Sequence, residues 1–452
     1  MKIDFERFGC IDKGSVELND FTIFCGKNNS GKTYVMYALY GLLANRFTIS
    51  FDFVKPIVEQ LKQKGNIELD IAEIIEEHQE EMLNDIKQRL KEYLPNLFGV
   101  VDNEFNDSKI KLSFTDNEIK ERIKRNVDFG HSWGELKIVN TISLKTYNKK
   151  IKLTLKDTET KNDDLLQVFI SEKLIDILFF DWSFFPHCFL LPAERNGINT
   201  FSKELFSIRN LLLQQAQNNN VNPMILLKDI FSARYAEPIK DYLQFINNIG
   251  TIQQDNSSYS NYAQTIQTNV LGGDYLVDEL GSISFTTHQN NKNIPLHFSS
   301  STVKSLFGLV FYLKHIARYG DYLMIDEPEL NLHPDNQREV ARILAQLVNA
   351  GLKVIVSTHS DYFVRELNNL IMLKNDFSGV DALKQKYHYQ DNELLDSSKV
   401  SAYLFDNNTI EKMPLGEEGI VADTFNQVIH ELNQSSNEIY YAMQDAKELE
   451  NW

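Results

Sequence analysis

The sequence predicts an α/β protein built on a parallel sheet covered by helices, and three stretches predict it. Phe21-Thr22-Ile23-Phe24-Cys25 is a short apolar run that stops at Gly26. A helical pattern follows from Lys32, with Val35, Met36, Leu39, Leu42 and Leu43 on one side. Tyr322-Leu323-Met324-Ile325 is a second apolar run, closed by two carboxylates, Asp326 and Glu327. From residue 303 onward the pattern reads helix, strand, helix, strand, helix, and the second strand is Lys353-Val354-Ile355-Val356. Such alternation calls for a parallel sheet, because parallel strands are joined by helical crossovers.

Composition limits what this fold can be. Of the 452 residues, 42% are hydrophobic and 24% charged, enough apolar side chain for a sizeable core and too much for a disordered chain. The length allows two to four domains at roughly 100–200 residues each. Lys plus Arg number 46 against 63 Asp plus Glu, so a formal charge of −17 excludes a cationic surface over the whole molecule. The cysteines are Cys10, Cys25 and Cys188, with no CxxC pair. This argues against a disulfide framework and a zinc site, and Cys25 and Cys188 read as core residues. The N-terminus MKIDFERFG lacks the apolar segment of a secretion signal. The most apolar stretch, Leu174 to Leu191, carries Asp176, Asp181, Pro186 and His187, unlike a membrane span. The expectation is a soluble, cytoplasmic protein with no membrane partner.

Between the first and last stretches the chain changes period. Residues 51–126 are charged and read as helical, with Ile71, Ile75, Met82, Ile86, Leu90, Tyr93 and Leu97 on one face. Leu136, Ile138, Ile142, Leu144, Ile151, Leu153 and Leu155 mostly alternate with polar residues, and the turn TYNKK divides them, which predicts a β-hairpin. Residues 165–191 are apolar and end in the strand-like Cys188–Leu191; residues 200–300 mix helices with polar loops. Four segments are expected: 1–50 with the first α/β unit, 51–184 as a helical and β-hairpin insertion, 185–300 as a strand and helical lobe, and 301–452 as the second part of the α/β body. After His359 the tail reads as strand, turn and helix, Val400–Phe405 and then Ala422–Leu432.

The chemistry gathers in three motifs. Gly26-Lys27-Asn28-Asn29-Ser30-Gly31-Lys32-Thr33 fits GxxxxGK[ST], with a strand before it and a helix after it. Glycines let the backbone wrap so that successive N–H groups face phosphate oxygens, and the helix N-terminus adds its positive dipole end. Lys32 would reach the β- and γ-phosphates and Thr33 would hold Mg²⁺ through its hydroxyl. Asp326 and Glu327 emerge where ligands bind in open α/β sheets, at a strand's carboxyl end. Asp326 reads as the Mg²⁺ partner and Glu327 as the group that polarises the attacking water. Ser357-Thr358-His359 ends another buried strand, and His359 there can reach the γ-phosphate or the water. A chance glycine turn, solvated acids and a structural histidine are the plain alternatives, and the order of the three motifs argues against them together.

Gly26–Thr33, the run Asp326-Glu327-Pro328-Glu329-Leu330-Asn331-Leu332-His333-Pro334 and Ser357-Thr358-His359-Ser360 resemble the RecF/OLD-type branch of the ABC ATPases, relatives of the SMC proteins. The resemblance covers the first fifty residues and residues 295–365. It implies a P-loop NTPase of the ABC-ATPase head type, carrying a large mixed helical and β-hairpin insertion. It makes Asp326 and Glu327 the Walker B pair, puts Leu332-His333-Pro334 in the D-loop and makes His359 the switch histidine. It also implies that ATP and Mg²⁺ are sandwiched between two heads, one supplying the P-loop and the other a signature serine. Ser300 and Ser301 occupy the serine positions, while Thr302 stands where the family has glycine. Read plainly, the same serines form an N-cap for the next helix. Leu191-Pro192-Ala193-Glu194-Arg195-Asn196 stands at the Q-loop place, so that Glu194 or Arg195 would sense Mg²⁺ and the γ-phosphate; the alternative is a surface ion pair.

The implied function is an ATP hydrolase that switches conformation as two copies, in a head-to-head dimer or higher oligomer, close around ATP. Stand-alone heads of this kind resemble the ATPase subunits of PARIS- or Septu-like anti-phage defence systems, in which a separately encoded protein is the effector. No DxD pair occurs in residues 366–452, so no Toprim nuclease is expected. The alternatives are a RecF-like DNA-repair ATPase that clamps DNA and a scaffold locked by unhydrolysed ATP. Basic candidates for nucleic acid are Lys120, Arg122, Lys124, Arg125, Lys145, Lys149, Lys150 and Lys152, although the net charge does not support that partner and a solvated face is the simpler reading.

Overall fold

The computed structural model describes residues 1–44, 49–100, 104–114, 142–147, 150–155, 163–179, 188–201, 235–253, 255–278, 281–421 and 431–443. In chain order the elements that matter here are β1 (Lys2–Phe8), β2 (Ile11–Glu17), β3 (Phe21–Gly26), α1 (Lys32–Leu43), α2 (Val54–Lys64), β4 (Asn66–Asp70), α3 (Ile71–Phe98), β5 (Lys109–Ser113), β6 (Ile142–Tyr147), β7 (Lys150–Leu155), α4 (Asp163–Phe179) and β8 (Cys188–Leu191). A helix at 195–201 follows, then α5 (Glu237–Asn247), β9 (Gly273–Val277), β10 (Ile283–Thr287), β11 (Asn293–Pro295), α6 (Ser301–His315), β12 (Tyr322–Asp326), α7 (Pro334–Asn349), β13 (Lys353–Thr358), α8 (Asp361–Met372), β14 (Val400–Asp406) and β15 (Thr409–Lys412).

Among the described residues nine strands form one sheet in the order β5-β1-β2-β15-β14-β3-β13-β12-β8. Its β14-β3-β13-β12-β8 block is parallel, as the alternation of elements predicts; the β5-β1-β2 wing is antiparallel. Every residue of β3 and β12 is buried, because helices cover both faces, and this explains their unbroken apolar runs. The faces alternate residue by residue. Phe24, Tyr322, Met324, Ile355, Tyr403 and Phe405 pack with α1 to α4, while Ile23, Cys25, Leu323, Ile325, Val354 and Val356 pack with α5 to α8. Cys188 is only half-buried at the edge of the first layer.

Two registers place the site. Ser357 of β13 lies opposite Asp326 of β12, and Thr358 lies opposite Cys25 of β3. The glycine-rich turn, the acid pair and the Ser-Thr-His tip therefore leave the sheet side by side at the carboxyl ends of three adjacent parallel strands.

The structure corrects several expectations. Residues 51–126 are not wholly helical. β4 interrupts them, and Lys109–Ser113 adds β5 to the sheet edge beside β1, with Ile110 and Leu112 buried at a period of two. The charge between those apolar positions hid the alternation. The hairpin forms as β6 and β7, and β4 extends it to three strands. Lys150 and Lys152 stand opposite Asp70 and Glu68 on β4, which balances their charge. Lys145 is a residue of β6, and Lys120, Arg122, Lys124, Arg125, Lys149, Leu136 and Ile138 lie outside the described residues. Val400–Phe405 forms the strand expected of it. It is most of β14, inserted between β3 and β15. Of the helix expected at Ala422–Leu432, residues 422–430 lie outside the described set, and residues 431–443 are helical. No described helix is long and apolar enough to cross a membrane.

Candidate functional site at the strand ends

The turn after β3 needs its glycines for reasons visible in the geometry. Gly26 has φ 147°, and a Cβ there would sit 2.4 Å from the Phe405 carbonyl oxygen of β14. Gly31 has φ 97°, and its Cβ would meet the Ile11 side chain at 2.6 Å and Cys10 Sγ at 2.9 Å. Asn29 is also left-handed, at φ 61°, a conformation asparagine tolerates better than most residues. Lys27, Asn28 and Asn29 face solvent, Ser30 is half-buried, and Lys32 is buried. Lys32 Nζ donates to the carbonyls of Gly26 at 2.9 Å and Lys27 at 2.7 Å, which arches the loop over its side chain. Burial pushes the Lys32 ammonium pKa down, against the pull of the Asp326 and Glu327 charges. α1 begins at Lys32 directly after this loop, with Gly31 as its N-cap, and the first N–H groups of a helix have no partner within it.

Thr33 Oγ1 donates to Asp326 Oδ2 at 3.0 Å. The other Asp326 oxygen accepts from the Ser357 hydroxyl in a short hydrogen bond. A hydroxyl and a carboxylate thus stand together at the glycine turn. Hard oxygen donors of this kind, few in number, suit Mg²⁺, which keeps waters and substrate oxygens for its remaining positions. Among the described residues no cluster of three or more His, Cys, Asp or Glu could hold a metal by itself. Mg²⁺ would therefore depend on Thr33 and Asp326 together with phosphate.

Glu327 adopts φ 53°. A left-handed non-glycine residue costs roughly 1–2 kcal/mol. Its N–H donates to the Ser357 carbonyl at 3.0 Å and the Ser357 hydroxyl at 3.2 Å, and its carbonyl accepts from Arg195. Burial raises the Glu327 carboxyl pKa, opposed first by His359 and supported by the Asp326 and Glu329 charges. A raised pKa suits a group that must accept a proton. His359 Nδ1 lies 3.7 Å from Glu327 Oε1 and 3.3 Å from Glu329 Oε1.

Sequence reasoning assigned Glu329 and Ser357 no role, although both stand inside the quoted motifs. Glu329 is 5% exposed. Its Oε1 accepts from the Thr358 hydroxyl and the His359 N–H, both at 2.9 Å, and so holds the β13 tip against the turn after β12. Its Oε2 is buried with no hydrogen-bond partner among the described residues.

The other sequence candidates lie apart. Ser300 caps α6, accepting from the Val303 N–H at 3.3 Å, and Ser301 is its first residue. Both are exposed, and no hydrogen bond among the described residues joins either to the turn at 26–33. Thr302, standing in place of glycine, donates through Oγ1 to the Asn331 carbonyl at 2.9 Å, a bond glycine could not make. Ser305 Oγ bonds the Leu330 carbonyl at 3.0 Å, so two side chains tie α6 to the segment after the acid pair. Arg195 departs from the expected surface ion pair: it is 1% exposed, and all its hydrogen bonds run to backbone carbonyls. Neighbouring Glu194 is exposed, with its pKa raised first by partial desolvation and then by the Asp326 and Glu327 charges.

Among solved structures, the chain is similar to an SMC head bound to the C-terminal winged-helix domain of ScpA, at 11% identity, TM-score 0.34, and coverage of 91% of this chain and 96% of that one. It is also similar to an SMC head with an extended coiled coil bound to the C-terminal domain of ScpA, derived from Pyrococcus furiosus. That match has 11% identity, TM-score 0.31, and coverage of 96% of this chain and 98% of that one. No curated protein matches the chain. The AAA ATPase domain family matches residues 1–364, a span that takes in the glycine turn, Asp326, Glu327 and His359, and the chain belongs to that family of P-loop ATPases.

Proposed function

We propose that the chain binds ATP with Mg²⁺ at its strand ends, and that two copies close around two ATP molecules and reopen on hydrolysis. The observation that carries this reading is the 3.0 Å bond between Thr33 Oγ1 and Asp326 Oδ2, which puts both expected Mg²⁺ donors at the phosphate turn. Lys32 would exchange the Gly26 and Lys27 carbonyls for phosphate oxygens. Glu327, with its raised pKa, would take the proton of the attacking water, and His359 would orient the water or the γ-phosphate. Ser300 and Ser301, exposed at the α6 N-terminus, would face the ATP held by the other copy. Binding energy from the γ-phosphate would supply the difference between open and closed states.

On the motif resemblance, we read the chain as the sensor and scaffold subunit of an anti-phage defence complex controlling a separately encoded effector. The 3.0 Å bond supports only the nucleotide chemistry. A scaffold locked by unhydrolysed ATP is favoured by one observation, the Thr302 hydroxyl engaged with Asn331 where the related ATPases carry glycine.

Lys32→Ala tests the site: ATP affinity should fall below detection, and unchanged affinity would refute it. Glu327→Gln tests the switch. Light scattering with ATP should show a trapped dimer, while monomer throughout would refute the sandwich. Phosphate release from the wild type separates hydrolysis from an ATP lock. DNA binding that weakens steeply with salt in the absence of any partner would favour the RecF-like reading.

A further inference from the structure

Arg195 stands at the start of the helix at 195–201, just beyond β8, the edge strand paired with β12. Its guanidinium is enclosed on all sides, at 1% exposure. Nη1 donates to the Asp326 carbonyl at 2.6 Å and the Pro192 carbonyl at 3.1 Å, Nη2 to the Glu327 carbonyl at 2.6 Å, and Nε to the Ser305 carbonyl of α6 at 3.2 Å. One planar fork therefore joins its own turn, the peptide backbone of both acids and the helix that begins at Ser301. On the same helix, Asn199 Nδ2 donates to the Lys304 carbonyl at 2.7 Å, and Asn199 Oδ1 accepts from the Tyr242 hydroxyl at 3.1 Å.

A buried cation bonded only to carbonyls costs desolvation energy that an apolar side chain would not. The two carbonyls it holds most closely belong to Asp326 and to left-handed Glu327. A backbone held off its preferred conformation persists only where its surroundings over-determine it. Here Ser357 fixes the N–H side of Glu327 and Arg195 fixes the carbonyl side.

We propose that Arg195 is a positioning residue for the ATPase reaction: it sets the aim of Asp326 and Glu327 and couples that aim to the placement of the Ser300–Ser301 end of α6. The inference rests on the ATP site proposed above. Because the fork spans three elements, a displacement of α6 moves the acid pair of the same chain. Lysine keeps the charge but cannot make the same parallel bonds.

The test compares wild type, Lys32→Ala, Arg195→Lys and Arg195→Ala, the last with and without methylguanidinium. The readouts are melting temperature, ATP affinity in EDTA and in Mg²⁺, and phosphate release at saturating ATP. Arg195→Lys is expected to hold ATP in EDTA within about threefold of wild type. Its gain in affinity from Mg²⁺ and its release rate should both fall by roughly 10–100-fold, as for other supporting residues around a metal site. Methylguanidinium should recover part of both losses in folded Arg195→Ala, whereas a merely structural role would give recovery of melting temperature alone. Arg195→Lys with wild-type Mg²⁺ gain and release rate would overturn the inference and leave the site reading standing. So would losses that methylguanidinium does not move in folded protein. Lys32→Ala that binds ATP as tightly as wild type would overturn the site reading itself, and the inference with it.

Discussion

Thr33 and Asp326 are 293 residues apart in the chain and 3.0 Å apart at their side-chain oxygens. One intervening strand and its two registers explain the meeting. β3 and β12 flank β13 in parallel, so their carboxyl ends finish at one level, and α1 returns Thr33 from the glycine turn to face Asp326. The hydroxyl donates to the carboxylate, leaving other lone pairs of both groups available for a cation.

Thr33→Val should therefore separate binding from folding. The side chain faces solvent and the substitution keeps its volume, so the stability loss should be about 1 kcal/mol, the worth of one hydrogen bond. The gain in ATP affinity from Mg²⁺ should disappear. Calorimetric titration with and without Mg²⁺ measures it, and a retained gain would remove Thr33 from the metal site.

Glu327→Gln should stabilise the fold at neutral pH. The Glu327 pKa is raised in the native state, so the native chain binds its proton more readily than the unfolded chain. Stability is then greatest below the ordinary carboxylate range and falls as pH rises through the raised value. Glutamine cannot lose that proton. The melting temperature of the variant should exceed that of wild type near neutrality, and the gap should close in acid. The same shift predicts that hydrolysis by the wild type rises with pH through a value above that of a free glutamate.

Glu329→Ala should destabilise by roughly 2–4 kcal/mol, because the buried Thr358 hydroxyl and the His359 N–H lose their shared acceptor. Glu329→Gln keeps an acceptor oxygen and should lose less. Urea denaturation of the three proteins gives the comparison. Equal midpoints would mean that Glu329 does not brace the β13 tip.

Gly26→Ala should cost about 1–3 kcal/mol from backbone strain. The contact with the Phe405 carbonyl adds to this, since relief requires β3 to part from β14. ATP binding should weaken with it. A variant that melts and binds like wild type would show that the turn can relax.

Much of the site could be read directly. The glycine turn, the acid pair and the Ser-Thr-His tip announce themselves because a buried parallel strand must be continuously apolar, and polar residues at its end then stand out. Helix periods in residues 303–365 were equally plain. The strand at Lys109–Ser113 was masked by lysines on its exposed face, and the pairing of Val400–Phe405 with β3 could not be read because β3 lies near the other end of the chain.

The glycine turn, the acidic strand end and the parallel sheet between them were legible in the residues alone, since each follows from short-range periodicity and local turn chemistry. The grip of Arg195 on the backbone of residues 131 and 132 positions away, and the capture of the His359 N–H by Glu329 rather than solvent, emerge with the folded chain. The physical reason is that burial and carbonyl bonding depend on which strands become neighbours. A guanidinium after a strand reads the same on paper whether it meets water or a ring of peptide oxygens.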